Sequence, residues 1–109
     1  MIAPDRSAAS ERWARMPFLE QMAQIGSEAG RALRWQLRNR PEQAGRAFER
    51  ALELWDFTLE AGSDLPKLRE AARSREAFAA DFIGGGGEAV AAAWERYFLP
   101  FAYAVRRKT

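Results

Sequence analysis

Apolar residues recur along this chain at steps of three and four, with no sustained alternation of two, so the pattern predicts helices throughout. Phe18, Met22, Ile25, Ala29 and Leu33 form one stripe, and Ala44, Phe48, Ala51, Trp55 and Leu59 form another. Pro17, with φ fixed and no N–H to leave unpaired, suits the first turn of a long helix that runs to about Arg38, where Asn39-Arg40-Pro41 breaks it. Pro41 restarts the chain and Ala61-Gly62 stops it. Ser63 or Asp64 then caps a helix with Pro66 in its first turn and Leu68, Ala72, Ala79 and Phe82 on its core face. The glycines Gly84 to Gly87 end that helix, and a last one opens near Glu88 with Val90, Trp94, Phe98, Phe101 and Val105 on its stripe. Pro100 inside this stripe predicts a kink or break, because it has no N–H to donate to the preceding turn. Upstream, residues 1–10 read as a loose lead-in, with Ser10 capping a short helix from Glu11 to about Met16.

The expected fold is all-α. Short connections between long helices favour antiparallel neighbours, which gives an up-and-down antiparallel four-helix bundle over residues 11–109, with the short extra N-terminal helix across one end. At 109 residues the chain suffices for one domain and buries roughly two-thirds of its unfolded surface. Hydrophobic residues at 48% and charged residues at 29% are globular values, so one core forms without staples.

Chemistry is narrowed by absence. With neither cysteine nor histidine, the chain has no disulfide, no thiol nucleophile, no imidazole base and no zinc site of the usual kind. The glycine run is no phosphate loop, since no Lys-Ser/Thr follows it and no strand precedes it. Seventeen basic residues against 15 acidic ones leave a net charge of +2, too weak by itself to point to nucleic acid. No stretch approaches the ~20 apolar residues of a spanning helix, so the expectation is a cytoplasmic protein with no membrane association, no metal and no cofactor.

Several positions depart from an ordinary bundle. On a helical wheel Arg31, Arg34 and Arg38 gather opposite the first stripe with Trp35 beside them, an arrangement in which guanidiniums meet phosphates and an indole stacks on a base. The competing reading is a solvated arginine face whose tryptophan packs on Arg stems. Glu49, Glu53, Asp56 and Glu60 share one narrow face, most simply a solvent face paired with Arg69 or Arg73. Glu53-Leu-Trp-Asp56 also spells the ExxD half of the motif of MazG-type nucleotide pyrophosphohydrolases, but the upstream ExxE is missing. Arg75 falls on the face that should be core, which calls for a carboxylate partner from another helix, escape at a helix edge, or a pocket for an anion. Phe57 lies outside its helix's stripe, and Tyr97, Phe98, Leu99 and Tyr103 make the last helix apolar on more than one face. Surplus of this kind marks an interface. Gly26 and Gly30, one turn apart, allow close approach of helices within or between subunits.

The stretches Glu11-Arg-Trp-Ala-Arg-Met16, Ile25-Gly-Ser-Glu-Ala-Gly-Arg-Ala32 and Ala47-Phe-Glu-Arg-Ala-Leu-Glu-Leu54 resemble a group of small prokaryotic helical proteins, and the resemblance extends through Arg75-Glu76 and Tyr97-Phe98. It implies a native helical bundle and no catalytic residue. At the fold level the pattern is also similar to HEPN-type helical domains, many of which bind or cleave RNA. Their nuclease motif pairs Arg with a His that this chain lacks, so the resemblance implies at most an RNA-linked role.

The leading expectation is thus a non-catalytic helical-bundle interaction protein, homodimeric through Phe57, Tyr97, Phe98, Leu99 and Tyr103, with a further protein partner unspecified. The alternative is an RNA- or nucleotide-associated module using Arg31, Arg34, Trp35 and Arg38. Third is a Mg²⁺-dependent enzyme on a phosphorylated small molecule, with Arg75 clamping phosphate and the Glu53/Asp56 row holding the metal.

Overall fold

The computed structural model describes residues 6–107 and contains five helices, α1 (Arg6–Ala14), α2 (Phe18–Leu37), α3 (Pro41–Ala61), α4 (Leu65–Ile83) and α5 (Glu88–Arg107), with no strand among the described residues. The fold is all-α. Residues 1–5 of the expected lead-in lie outside the described residues, while Arg6 to Ser10 are helical, so α1 begins at Arg6 and Ser10 sits inside it rather than capping it.

The boundaries follow from local chemistry. Asn39 adopts the left-handed region at φ 57, which its short side chain tolerates, and the Arg40 N–H returns to the Trp35 carbonyl at 3.0 Å, closing α2 before Pro41 opens α3. Between Ser63 and Asp64 the structure selects Asp64, whose Oδ1 accepts the Lys67 N–H at 3.1 Å. Asp64 is thereby held below the usual carboxylate range, first by this backbone hydrogen bond. After α4 the chain turns through Gly85, Gly86 and Gly87, all at positive φ. The positive φ of Gly86 favours glycine, and a β-carbon there would also have to displace the Gln36 side-chain amide. Gln36 in turn donates to the Phe82 carbonyl at 2.9 Å, tying the end of α2 to the end of α4. Of the kink or break expected at Pro100, a break is not present: α5 runs through it to Arg107.

Helix α2 is central, packing on α3 and α5 and touching α4, while α3 also holds α1 and α4. Its stripe is buried as the spacing predicts, with Met22, Ile25 and Ala29 at 0% exposure. Phe78 is the hub of the aromatic core, meeting Trp55 at 5.2 Å and Trp94 edge-on at 5.5 Å, while Phe48 stacks on Phe82 at 4.2 Å. Such pairs contribute about 0.5–1.5 kcal/mol each beyond area burial.

Three tryptophans pin helices together through their indole N–H groups. Trp13 of α1 donates to Thr58 of α3 at 2.8 Å, Trp55 of α3 to Ser74 of α4 at 3.0 Å, and Trp94 of α5 to Asp81 of α4 at 2.8 Å. A buried indole N–H without an acceptor costs about 1–3 kcal/mol, so these pairings fix which face each helix turns inward. They explain a correction on α4. Its inward face is Ala71, Ser74 and Phe78, and Ala72, expected in the core, is exposed.

Candidate functional site

Helices α2 and α5 meet where Gly26 receives the ring of Phe98; a β-carbon on Gly26 would stand 2.7 Å from Phe98 Cγ. Beyond that contact the two helices leave an open groove of about 570 Å³. The α2 wall is formed by small residues, Ala23, Ser27 and Gly30, and ends in Arg34 and Leu37. The α5 wall carries Ala92, Leu99 and Ala102 together with Glu88 and Glu95. Leu99 is 55% exposed and Leu37 is 42% exposed, so the groove presents apolar surface to solvent.

Charge is divided between the walls. Arg34 folds its guanidinium back over Gly30, where a β-carbon would lie 2.9 Å from Nη1. No ion pair among the described residues involves Arg34, Glu88 or Glu95. Arg31, also on the groove's edge, is engaged: its Nη1 lies 2.7 Å from Glu28 Oε1, and Glu28 is shared with Arg50 of α3 at 3.4 Å. The lining offers one hydroxyl, Ser27, which donates to the Ala23 carbonyl at 3.4 Å.

The proposed arginine face is therefore smaller than its wheel suggests. Trp35 is half-buried, and the Arg38 guanidinium lies over one face of its indole, 5.7 Å from the ring centre. Arg34 and Arg38 remain exposed without a carboxylate, and Arg31 does not.

Arg75 reaches Asp56 of α3, with Nε 2.8 Å from Oδ1 and Nη2 donating to Oδ2 at 3.3 Å. The Nε N–H is not aligned with the oxygen, so the shorter contact is ionic without being a hydrogen bond. This settles the partner of Arg75 and bears on the acidic row: Asp56 pairs with Arg75 and Glu60 with Arg6 at 3.1 Å, whereas Arg73 pairs with Glu70 on its own helix. A phosphate clamp on Arg75 and a metal on Asp56 would each have to break the same ion pair. No three acidic groups among the described residues converge in a metal-holding arrangement.

The aromatic residues expected at an interface divide into two sets. Phe57 is 5% exposed, lying beneath the Arg6 guanidinium at 4.9 Å, and Phe98 is 6% exposed in the core; both are committed within the single chain. Tyr97 is half-buried and donates to Glu70, which also binds Arg73. Burial first, and this hydrogen bond second, push the phenol up to about 12, while Arg73 above all holds Glu70 below its ordinary value. Leu99 and Tyr103, one turn apart, stay at the surface at 55% and 56% exposure.

Sequence reasoning noticed Gly26, Gly30 and Leu99 but missed the acidic wall of Glu88 and Glu95. The available signal was their register with Leu99 on α5. No protein-family model, no curated protein and no solved structure matches this chain. No helix among the described residues is long and apolar enough to cross a membrane.

Proposed function

We propose that this protein is a non-catalytic docking protein that acts as a homodimer, built on an up-and-down arrangement of α2 to α5. The observation that carries the reading is the double-sided character of α5. This helix buries Trp94 and Phe98 in its own core and still turns Leu99 and Tyr103 to solvent. A helix that has already filled its core and keeps large apolar side chains outside is suited to a second burial event. Two groups that a catalytic reading would use are engaged within the chain: the Ser27 hydroxyl donates to the Ala23 carbonyl, and Arg75 pairs with Asp56.

Light-scattering mass measured with the 260/280 nm absorbance ratio, on protein purified natively at low salt, tests this directly. A mass of twice the 12.3 kDa chain with a protein-like ratio is the expected result. A monomer at high micromolar concentration refutes the homodimer. A raised ratio that collapses in high salt instead favours RNA on the exposed Arg34 and Arg38.

A further inference from the structure

We infer that the groove between α2 and α5 is the seat of a second copy of this chain, related by a two-fold axis running along the groove; this rests on the homodimer reading above and specifies its surface. The first support is spacing. Among the groove's lining residues, Ala23, Ser27, Gly30, Arg34 and Leu37 form one row along α2, and Glu88, Ala92, Glu95, Leu99 and Ala102 form one row along α5, beside further lining from Gly26, Arg31, Leu33, Ala91, Trp94 and Phe98. Both sets step by alternating fours and threes, the repeat that keeps one seam of a helix facing a partner helix. Leu33, Trp94 and Phe98 also line the groove but are buried in the chain's own core, whereas Ser27, Arg34, Leu37, Glu88, Glu95 and Leu99 are exposed.

The second support is complementarity under a single operation. Within one chain, Gly86, just before α5, lies against Gln36 and Leu33 near the end of α2, Gly26 meets Phe98, and Phe18 meets Phe101 at 6.4 Å, so the two helices run in opposite directions. A two-fold along the groove sets α2 of one copy over α5 of the other without changing level. Leu99 then enters the hollow at Ser27 and its small neighbour Ala23. By the same operation Arg34 comes to rest over Ala92, between Glu88 and Glu95. Each copy therefore offers an unpaired cation to two unpaired carboxylates of the other, and the contact is made twice.

Charge division is what selects a second copy over an unrelated helix: a groove with one basic and one acidic wall complements itself on rotation. Its size suits a dissociable dimer. Two helices of 20 residues present a face about 30 Å by 20 Å, close to the lower bound for specific interfaces.

The test uses charge reversal. Arg34→Glu inverts the basic wall, and Glu88→Lys with Glu95→Lys inverts the acidic one; all three side chains are exposed, and circular dichroism checks that the helices remain. By light scattering over a concentration series the wild type is dimeric, and each variant alone dissociates with a constant weaker on the order of a hundredfold. Mixing the two variants in equal amounts restores dimer mass, because each wall again meets its opposite. Leu99→Glu, at a surface position of the single chain, gives the same loss without rescue by either charge variant. A wild-type dimer unaffected by these changes, or a mixture that stays monomeric, overturns the groove assignment while leaving the homodimer standing. A monomeric wild type removes both.

Discussion

Gly26 and Gly30 lie one turn apart on α2, and replacing each by alanine should move stability in opposite directions. In a helix interior alanine is favoured over glycine by about 1 kcal/mol, chiefly because glycine loses more backbone freedom on folding. At Gly30 that gain is available: the nearest atom to a new β-carbon is Arg34 Nη1 at 2.9 Å, the far end of a flexible, exposed side chain. Gly30→Ala should therefore stabilise the fold by about 0.5–1 kcal/mol. At Gly26 the new carbon would meet Phe98 Cγ at 2.7 Å, Cβ at 2.8 Å and Cδ1 at 2.9 Å, against a normal carbon contact of about 3.5–4.0 Å. Because Cβ is among the clashing atoms, no rotation of the Phe98 ring relieves the overlap. Phe98 is also held by Trp55, Trp94, Tyr97 and Phe101, so α5 itself must shift by nearly 1 Å. Overpacking of this kind costs about 1–3 kcal/mol and outweighs the helix gain. Urea unfolding at low protein concentration, where association contributes least, should show a lower midpoint for Gly26→Ala and a higher one for Gly30→Ala, at unchanged slope. Equal shifts, or a more stable Gly26→Ala, would refute the claim that α2 and α5 are in contact at Gly26.

Ser74→Ala should destabilise by about 1–2 kcal/mol despite alanine's better helix propensity, since it leaves the buried Trp55 indole N–H unpaired; thermal unfolding with Trp fluorescence checks this. Thr58→Val, which keeps shape but removes the acceptor for Trp13, should loosen α1 selectively, seen as faster hydrogen exchange over Arg6–Ala14 with the other helices unchanged. Arg75→Ala should cost no more than about 1 kcal/mol, because the side chains of Arg75 and Asp56 are 31% and 38% exposed and solvent screens the pair; a loss of several kcal/mol would show that the pair is more deeply buried. Tyr97 has a folded pKa raised from 10.0 to about 12, so its stabilisation is complete below the unfolded value and is lost as pH climbs through that window. Glu70, shifted down, contributes above the unfolded carboxylate range and loses that contribution as pH falls. Tyr97→Phe should flatten the alkaline limb of the stability profile, and an unchanged limb would count against the half-buried Tyr97–Glu70 hydrogen bond.

The long helices were legible because helix formation is written locally. Stripe spacing placed Met22, Ile25, Ala29, Ala51, Trp55, Trp94 and Phe98 in the core, and proline, glycine and Asp64 set boundaries within a residue or two. The start of α1 was less legible, since its one buried residue is Trp13 and its hold on the fold comes from Thr58 and Glu60, far along the chain. The inward face of α4 was misjudged for a similar reason: alanines at positions 71 and 72 look alike in a pattern, and the Trp55 N–H decides between them by requiring Ser74 inside.

Sequence alone determined that the chain is helical, where its long helices lie, and that thiol and imidazole chemistry are unavailable to it. It also flagged Arg75 as needing a carboxylate partner, an escape at a helix edge or an anion, because a guanidinium on an apolar face has few physical options. Only the tertiary structure decided that the counter-charge is Asp56, that Phe57 and Phe98 are spent inside the chain, and that Leu99 and Tyr103 are not. It alone brought Arg34 and Glu95, on helices separated by two others in the chain, onto facing walls of one groove. Backbone hydrogen bonds and side-chain periodicity act over four residues, so a sequence displays them directly. Which charges and apolar side chains find partners depends on how whole helices rotate and approach, and that is settled by packing across the chain.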